Sequence, residues 1–249
     1  MSKIAYFIIF ISSVLFAFSC HNKKEENVKT LIFSISEEVP VPEPSGIDLS
    51  YNEKAFWIVS DQNSKVYLID SWGNEIKNFT VNGEDLEGIT VIDDSTLAVI
   101  LERTREVVVL DTSGKELKRK KINLEGELNS GLEGISYDPQ KEIFYIVNEK
   151  KPRLLLALDK DLTELSRDTL DFVKDVSGIF FDDKDNTLWI LSDESKCIVK
   201  TDLSGNPIEE FKIKVDQSEG ITFNKARTKL FLVSDITGNL YVFELDQNN

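Results

Sequence analysis

Ser45-Gly46-Ile47, followed fifteen residues after the glycine by an acid in Ser60-Asp61, is the stretch whose recurrence decides the fold. It returns as Glu87-Gly88-Ile89, Glu133-Gly134-Ile135, Ser177-Gly178-Ile179 and Glu219-Gly220-Ile221. Acidic residues keep step at Asp61, Glu102, Glu149, Asp193 and Asp235, which lie 15, 14, 15, 15 and 15 residues beyond their glycines. The five units start 42, 46, 44 and 42 residues apart, a period that marks a repeat architecture rather than one irregular core.

Each full repeat holds four strand-like runs, which in the first are residues 46–49, 55–59, 65–69 and 75–81. Turn formers separate them: Asn52-Glu53, Asp93-Asp94, Asp138-Pro139, Asp182-Asp183 and Asn224-Lys225 between the first two runs. Between the third and fourth stand Asp70-Ser71-Trp72-Gly73, Asp111-Thr112-Ser113-Gly114, Asp159-Lys160-Asp161 and Asp202-Leu203-Ser204-Gly205, where Asp opens the turn and Gly can supply a positive φ. Those carboxylates are read as structural. The second runs, such as Phe56-Trp57-Ile58-Val59 and Leu188-Trp189-Ile190-Leu191, are apolar on both faces, so each must lie between two neighbouring sheets. The fifth repeat lacks its fourth strand, while a solitary alternating run at residues 28–36 precedes the first repeat. Pairing that run into the last sheet closes the array. The expected fold is all-β: a five-bladed β-propeller with four antiparallel strands per blade, the N-terminal strand completing the last blade.

The 249 residues are 41% apolar and 10% aromatic, as in a folded globular domain. With 29 basic against 44 acidic residues the net charge is -15, which repels nucleic acid and anionic lipid and favours cations or basic partners. Residues 1–19 read as an export signal, with Lys3 before an apolar stretch that is too short for a comfortable membrane span. Ala17-Phe18-Ser19-Cys20 resembles a relaxed bacterial lipobox, which makes Cys20 the expected lipidation site. Phe18 departs from the small residue usual there, and an ordinary signal peptide with an incidental cysteine is the bland alternative. Residues 20–27 are then a lipidated tether and residues 28–249 the propeller. The expected location is the cell envelope, as an outer-membrane lipoprotein facing the periplasm or the cell surface.

From residue 28 to residue 245, the (Ser/Glu)-Gly-Ile openings and the Ser-Asp or Asn-Glu strand ends resemble the SdiA-regulated family of bacterial propellers, distantly similar to NHL-repeat proteins. The resemblance implies a five-bladed propeller on an exported protein, with a calcium site suggested for members and no settled activity.

Topology places the candidate site independently. In an antiparallel four-stranded blade the start of the first strand and the end of the second share a face. Ser45, Glu87, Glu133, Ser177 and Glu219 should therefore ring the channel mouth, with Asp61, Glu102, Glu149, Asp193 and Asp235 in a wider ring. Connectors there add Glu84, Asp85, Glu125, Glu127, Asp171, Asp175 and Asp216. Glutamates about 6 Å apart would repel by roughly 2–3 kcal/mol per pair at an effective dielectric near 20, so they are protonated or share a cation. Calcium is the expected ion, because it takes six to eight oxygens from carboxylates, carbonyls and amides. The candidate ligands are Glu87, Glu133, Glu219, Asn148, Glu149, Asp61, Asp193, Asp235 and Glu102. Zinc is disfavoured, since the only histidine is His21 in the tether and Cys197 is the only thiol of the propeller. The bland reading of the wider ring is that an acid kept in every blade serves the blade, accepting amide hydrogen bonds. Arg103, Arg105, Lys150, Lys151, Arg153 and Lys196 share this face, either to hold an anionic ligand beside the cation or as loop charges balancing the acids.

Without a propeller histidine, nucleophilic triads are excluded. The leading expectation is a monomeric, lipid-anchored propeller that binds calcium at its channel mouth and presents that face to a small anionic ligand or a protein. The alternative is a calcium-dependent hydrolase of phosphoesters or lactones, with Glu87, Glu133 or Glu219 as base.

Overall fold

The computed structural model of the protein describes residues 29–126 and 130–245. The expected export signal, Cys20 and the expected tether lie outside the described residues, as does Glu127. Two strands, β1 (Lys29–Thr30) and β2 (Ile32–Glu38), precede the repeats. Blade 1 is β3 (Pro44–Leu49), β4 (Ala55–Ser60), β5 (Lys65–Asp70) and β6 (Glu75–Thr80). Blade 2 is β7 (Leu86–Val91), β8 (Thr96–Leu101), β9 (Glu106–Asp111) and β10 (Glu116–Lys121). Blade 3 is β11 (Leu132–Asp138), β12 (Ile143–Asn148), β13 (Leu154–Asp159) and β14 (Glu164–Thr169). Blade 4 is β15 (Gly178–Asp182), β16 (Thr187–Ser192), β17 (Cys197–Thr201) and β18 (Pro207–Lys212). Blade 5 is β19 (Ser218–Phe223), β20 (Lys229–Ser234) and β21 (Asn239–Glu244), completed by β2, which pairs antiparallel with β21 from Ile32↔Glu244 to Glu38↔Asn239.

The second strands show why the ring closes. Successive residues point to opposite faces of a strand, and here each face meets a different neighbour. Trp57 and Val59 of blade 1 pack with Leu97, Val99 and Leu101 of blade 2. Ala98 and Ile100, from the other face of β8, pack with Phe144 and Ile146 of blade 3. Tyr145 and Val147 meet Leu188 and Ile190 of blade 4. Trp189 and Leu191 meet Leu230 and Leu232 of blade 5. Phe231 and Val233 return to Phe56 and Ile58 of blade 1. Five interfaces for five blades cover both faces of every second strand.

At the axis the innermost strands touch through their glycines. A Cβ on Gly46 would lie 2.8 Å from both the Glu87 carbonyl oxygen and Gly88 Cα, and one on Gly220 2.8 Å from Ile47 N. Gly134 would meet Gly178 Cα at 3.0 Å, and Gly178 the Glu219 carbonyl oxygen at 2.8 Å. Only glycine permits that backbone approach. The buried side chains of Ile47, Ile89, Ile135, Ile179 and Ile221 surround the axis, and the cavity left there is about 10 Å³, room for about one water.

The turns behave as read. Asp70, Asp111, Asp159 and Asp202 each accept the amides two and four residues ahead, for example Ser113 N at 2.8 Å and Lys115 N at 3.0 Å on Asp111. Gly73, Gly114 and Gly205 take φ of 81, 92 and 79°. In blade 3, where no glycine is available, Leu162 adopts φ 60°.

The N-terminal segment does more than the expected pairing. Lys29 and Thr30 add parallel to the outer edge of blade 4, against Phe211 and Lys212, before the chain crosses to blade 5. Leu31, at the crossing, is buried in the interface between those two blades. The simple alternation expected at residues 28–36 breaks at a register shift between Phe33 and Ile35, and Ile32, Phe33 and Ile35 are all exposed.

Candidate functional site

The residue before each motif glycine is displaced by the backbone itself. In β3, β7, β11 and β19 the ladder to the second strand slips at this point, between Pro44 and Gly46, Leu86 and Gly88, Leu132 and Gly134, and Ser218 and Gly220. A bulge leaves one residue outside the ladder and re-aims its side chain. Here that residue is Ser45, Glu87, Glu133 or Glu219. Connector carbonyls hold the ends of the second strands beside them: Asp61 N bonds Glu43 O at 3.3 Å, Glu102 N bonds Asp85 O at 2.9 Å and Glu149 N bonds Gly131 O at 2.9 Å.

The serine blades use this position for the ring. Ser45 Oγ donates to Leu86 O of the next blade at 2.5 Å, and Ser177 Oγ to Ser218 O at 2.7 Å. The glutamates gather instead with the wider ring. Asp61, Asp85 and Glu87 form one cluster, and Glu102, Glu133 and Glu149 a second, each offering carboxylate oxygens within 4.8 Å of one another. Asp85 links them, since its carboxyl adds to the upward shift of both Asp61 and Glu102. Sequence reasoning placed Asp85 only in a connector. Its role depends on a left-handed backbone, φ 62°, which no residue pattern displays. Glu219 stands apart from both clusters, in the field of Asp193, Asp235, Asp175 and Glu149.

Burial, then mutual repulsion, holds protons on this face. Glu133 is pushed well above the usual range by burial and then by Glu87, Glu102 and Glu219. Glu87 is raised well above it by burial and then by Asp61 and Glu219. Burial and the charges of Asp193 and Asp235 lift Glu219 to about 8. Burial lifts Glu102 to about 7 against the opposing Gly131 amide, with Asp85 adding to the rise. Asp61 rises to about 6 through burial and then the neighbouring Asp85 carboxyl. Glu149 is raised by burial while Lys150 opposes, and Asp235 by burial and then Glu43.

The basic residues of the face are largely committed. Arg103 Nε lies 2.5 Å from Asp85, Lys150 Nζ 2.5 Å from Glu149, and Lys196 Nζ 2.9 Å from Asp193 and 3.1 Å from Asp216. Arg105 clamps the carbonyls of Leu124 and Gly126, and Arg153 those of Leu170 and Lys174. Among the described residues no lysine or arginine lies within ion-pair distance of Glu87, Glu133 or Glu219.

The wider ring divides. Glu102 Oε1 accepts Gly131 N at 3.0 Å and Asp193 Oδ1 accepts Ser218 N at 3.0 Å, each tying its blade to the next. Asp175, from a connector, takes Ser192 Oγ at 2.5 Å and Glu194 N at 3.1 Å. Asn148 is buried and donates to Pro152 O at 2.7 Å, while its Oδ1 has no hydrogen-bond partner among the described residues.

The donors suit a hard ion. Oxygens bound to one calcium at about 2.3–2.6 Å lie at most about 5 Å apart, a spacing each cluster meets. Cys197 is in the core, 2% exposed, with its thiol pushed up to about 11 chiefly by burial. A thiol reagent should therefore leave Cys197 unmodified in the native protein while urea-unfolded protein is labelled there, as peptide mass spectrometry would show.

The fold and site define a closed five-bladed propeller whose channel opens, at one mouth, on clustered carboxylates. A model of the SdiA-regulated family matches residues 35–244, and the chain belongs to that family. Among solved structures it is similar to Myxococcus xanthus glutaminyl cyclase, with TM-score 0.71 and 10% identity over 89% of this chain and 99% of that one. A chain of a nidogen/laminin complex matches with TM-score 0.62 and 14% identity over 83% and 77%. One from Kuenenia stuttgartiensis hydrazine synthase gives 0.53 and 16% over 79% and 56%. At these identities the likeness is one of fold.

Proposed function

We propose that the acidic mouth binds calcium and presents the bound ion to an anionic small molecule or a protein, on a monomeric protein exported to the cell envelope and anchored there by lipid on Cys20. The carrying observation is the pair of carboxylate clusters with oxygens within 4.8 Å, centred on glutamates that no lysine or arginine among the described residues reaches at ion-pair distance. Asp61, Asp85 and Glu87 would hold one ion, and Glu102, Glu133 and Glu149 would supply a second set of ligands. Asn148 Oδ1 is an additional neutral donor. Glu219, Asp193 and Asp235 shape the field of the same mouth. The lipid anchor is tested by metabolic labelling with a fatty-acid analogue, which a Cys20→Ala variant should abolish.

Thermal unfolding of the full chain tests the ion. Calcium at about a hundred times its dissociation constant should add about 2.7 kcal/mol, which at roughly 2–4 °C per kcal/mol is a rise of about 5–11 °C over chelator. Magnesium, which demands a smaller octahedral site, should give less. A Glu87→Gln, Glu133→Gln double variant should lose the calcium response. An equal response in wild type and variant would move the ion elsewhere.

The electrostatics of the mouth suit a catalytic second reading. Glu102 and Glu219, held near 7 and 8, are poised as a general acid or base should be. The reactions to test are calcium-dependent hydrolysis of phosphoesters or lactones, and the cyclisation of N-terminal glutamine that the M. xanthus protein's name describes. Turnover abolished by Glu219→Gln, which lies outside both carboxylate clusters, with the calcium response intact, would favour this reading.

A further inference from the structure

The first strands run from the acidic mouth to the opposite one, where a pocket of about 330 Å³ opens between the ends of all five. This is within the usual range of small-molecule sites, about 300–1,000 Å³. Its wall is not five-fold. The accessible aromatic rings come from Tyr51 of blade 1, Tyr137 of blade 3 and Phe180 of blade 4, above the buried rings of Phe181 and Phe223, and cationic side chains come from blades 4 and 5 as Lys184, Lys225 and Arg227. Tyr51 is 57% exposed, and Tyr137 and Phe180 are half-buried.

The floor is already satisfied. Asp48 accepts Leu49 N at 2.7 Å, Val91 N at 2.8 Å, Thr222 Oγ1 at 2.9 Å and Thr90 Oγ1 at 3.2 Å, which ties three blades together. It has little left to offer a ligand, so recognition falls to the wall. Arg227 is committed as well, to Asp182 Oδ1 at 2.8 Å and Asp183 Oδ1 at 2.5 Å. The lysines are held less fully. Lys184 donates to Ala226 O at 2.7 Å and, among the described residues, has no carboxylate within ion-pair distance. Lys225 donates to Tyr51 O at 3.0 Å, stands 5.3 Å over the Tyr51 ring and has Glu53 at 3.6 Å. An ammonium carries three donors, so both lysines keep some for a bound anion.

We propose that this second mouth is a binding site for a small ring-bearing carboxylate, its ring seated among Tyr51, Tyr137 and Phe180 and its anionic group turned to Lys184 and Lys225. The arrangement joins apolar and aromatic area on one side with charge-assisted donors on the other. Blade architecture does not require it, since blades 1 and 2 place Asn52 and Asp94 in turns where blades 4 and 5 place Lys184 and Lys225. The site is independent of the cation at the acidic mouth.

Titration calorimetry of the full chain with naphthalene-2-carboxylate tests it, with naphthalene-2-methanol as the neutral counterpart. The carboxylate should bind saturably and one to one, with the same affinity in calcium and in chelator. The methanol should bind about tenfold or more weakly, as should the carboxylate to Lys225→Gln, a loss typical of one charge-assisted hydrogen bond. Tyr51→Ala removes an exposed ring and should weaken both probes while leaving the unfolding midpoint in place. Absence of saturable binding, equal binding of the two probes, or affinities unchanged in both variants would each overturn the proposal.

Discussion

Measured in chelator, the midpoint of thermal unfolding should fall as the pH is raised from about 4.5 towards 8, and saturating calcium should remove most of that fall. Folding raises Glu219 from 4.5 to about 8, Glu102 from 4.5 to about 7 and Asp61 from 3.8 to about 6, and holds Glu87 and Glu133 well above 4.5. Below the unfolded values both states are protonated and these groups contribute their full stability. Above them the unfolded chain releases protons that the folded mouth retains, so stability is lost as pH passes through the folded values. Each retained proton is worth about 1.4 kcal/mol per pH unit. Glu87 and Glu219 are only half-buried, which discounts the sum to roughly 3–6 kcal/mol between pH 5 and 8, or about 10–20 °C for a chain of this size. Turn carboxylates act in the opposite sense: Asp70, Asp111 and Asp202 are held below 3.8 by hydrogen bonds, so their contribution disappears as pH falls through that lower range. The chelated protein should thus be most stable near pH 4–5. Calcium at the proposed site would compete with the retained protons, so its effect should be small at pH 5 and largest at pH 8. Calorimetry across this range decides the matter. A chelated midpoint that rises from pH 5 to 8 would mean ionised, solvated carboxylates and no electrostatic need for an ion.

The periodic part of this arrangement was legible because periodicity survives in one dimension. Five glycines with a carboxylate in step, second strands apolar on both faces and a last repeat one strand short suffice for the closed ring. The two rings of acids followed from strand direction alone. What divides them was not legible. Glu133 sits with Glu102 of the preceding blade as well as with Glu149 of its own, and Glu87 with Asp61 of the preceding blade. Those partnerships depend on bulges and left-handed connectors that bring side chains from different blades together. Asp85 illustrates the limit, because in the chain it is one acid among several in a connector, and in space it joins both clusters. The parallel pairing of Lys29 and Thr30 with blade 4 was hidden for the same reason, being a contact between segments about 180 residues apart that no local propensity encodes.

Gly46→Ala should cost about 3 kcal/mol or more, at the upper end of overpacking, and lower the unfolding midpoint by roughly 6–12 °C. The added methyl meets backbone on the next blade, the Glu87 carbonyl oxygen and Gly88 Cα, both at 2.8 Å, so no side-chain rotation can relieve it. Relief requires β3 and β7 to separate at the axis. Gly220→Ala should behave alike, because its methyl would lie 2.8 Å from Ile47 N and 3.0 Å from Gly46 Cα. Gly238 is the informative comparison: its φ is +64° and nothing lies within 4 Å of the added atom, so alanine there costs about 1 kcal/mol of backbone strain. The variants also differ in what they do to the acidic mouth. Separating β3 from β7 displaces Glu87, the bulged residue beside Gly88, from Asp61 and Asp85, so Gly46→Ala should weaken the calcium-dependent rise as well as the chelated midpoint. Gly238→Ala should shift the midpoint slightly and leave the calcium response whole. Equal and mild losses in Gly46→Ala and Gly238→Ala would show that the inner strands do not meet backbone to backbone, and the glycine of the repeat would then need a reason other than the closure of the ring.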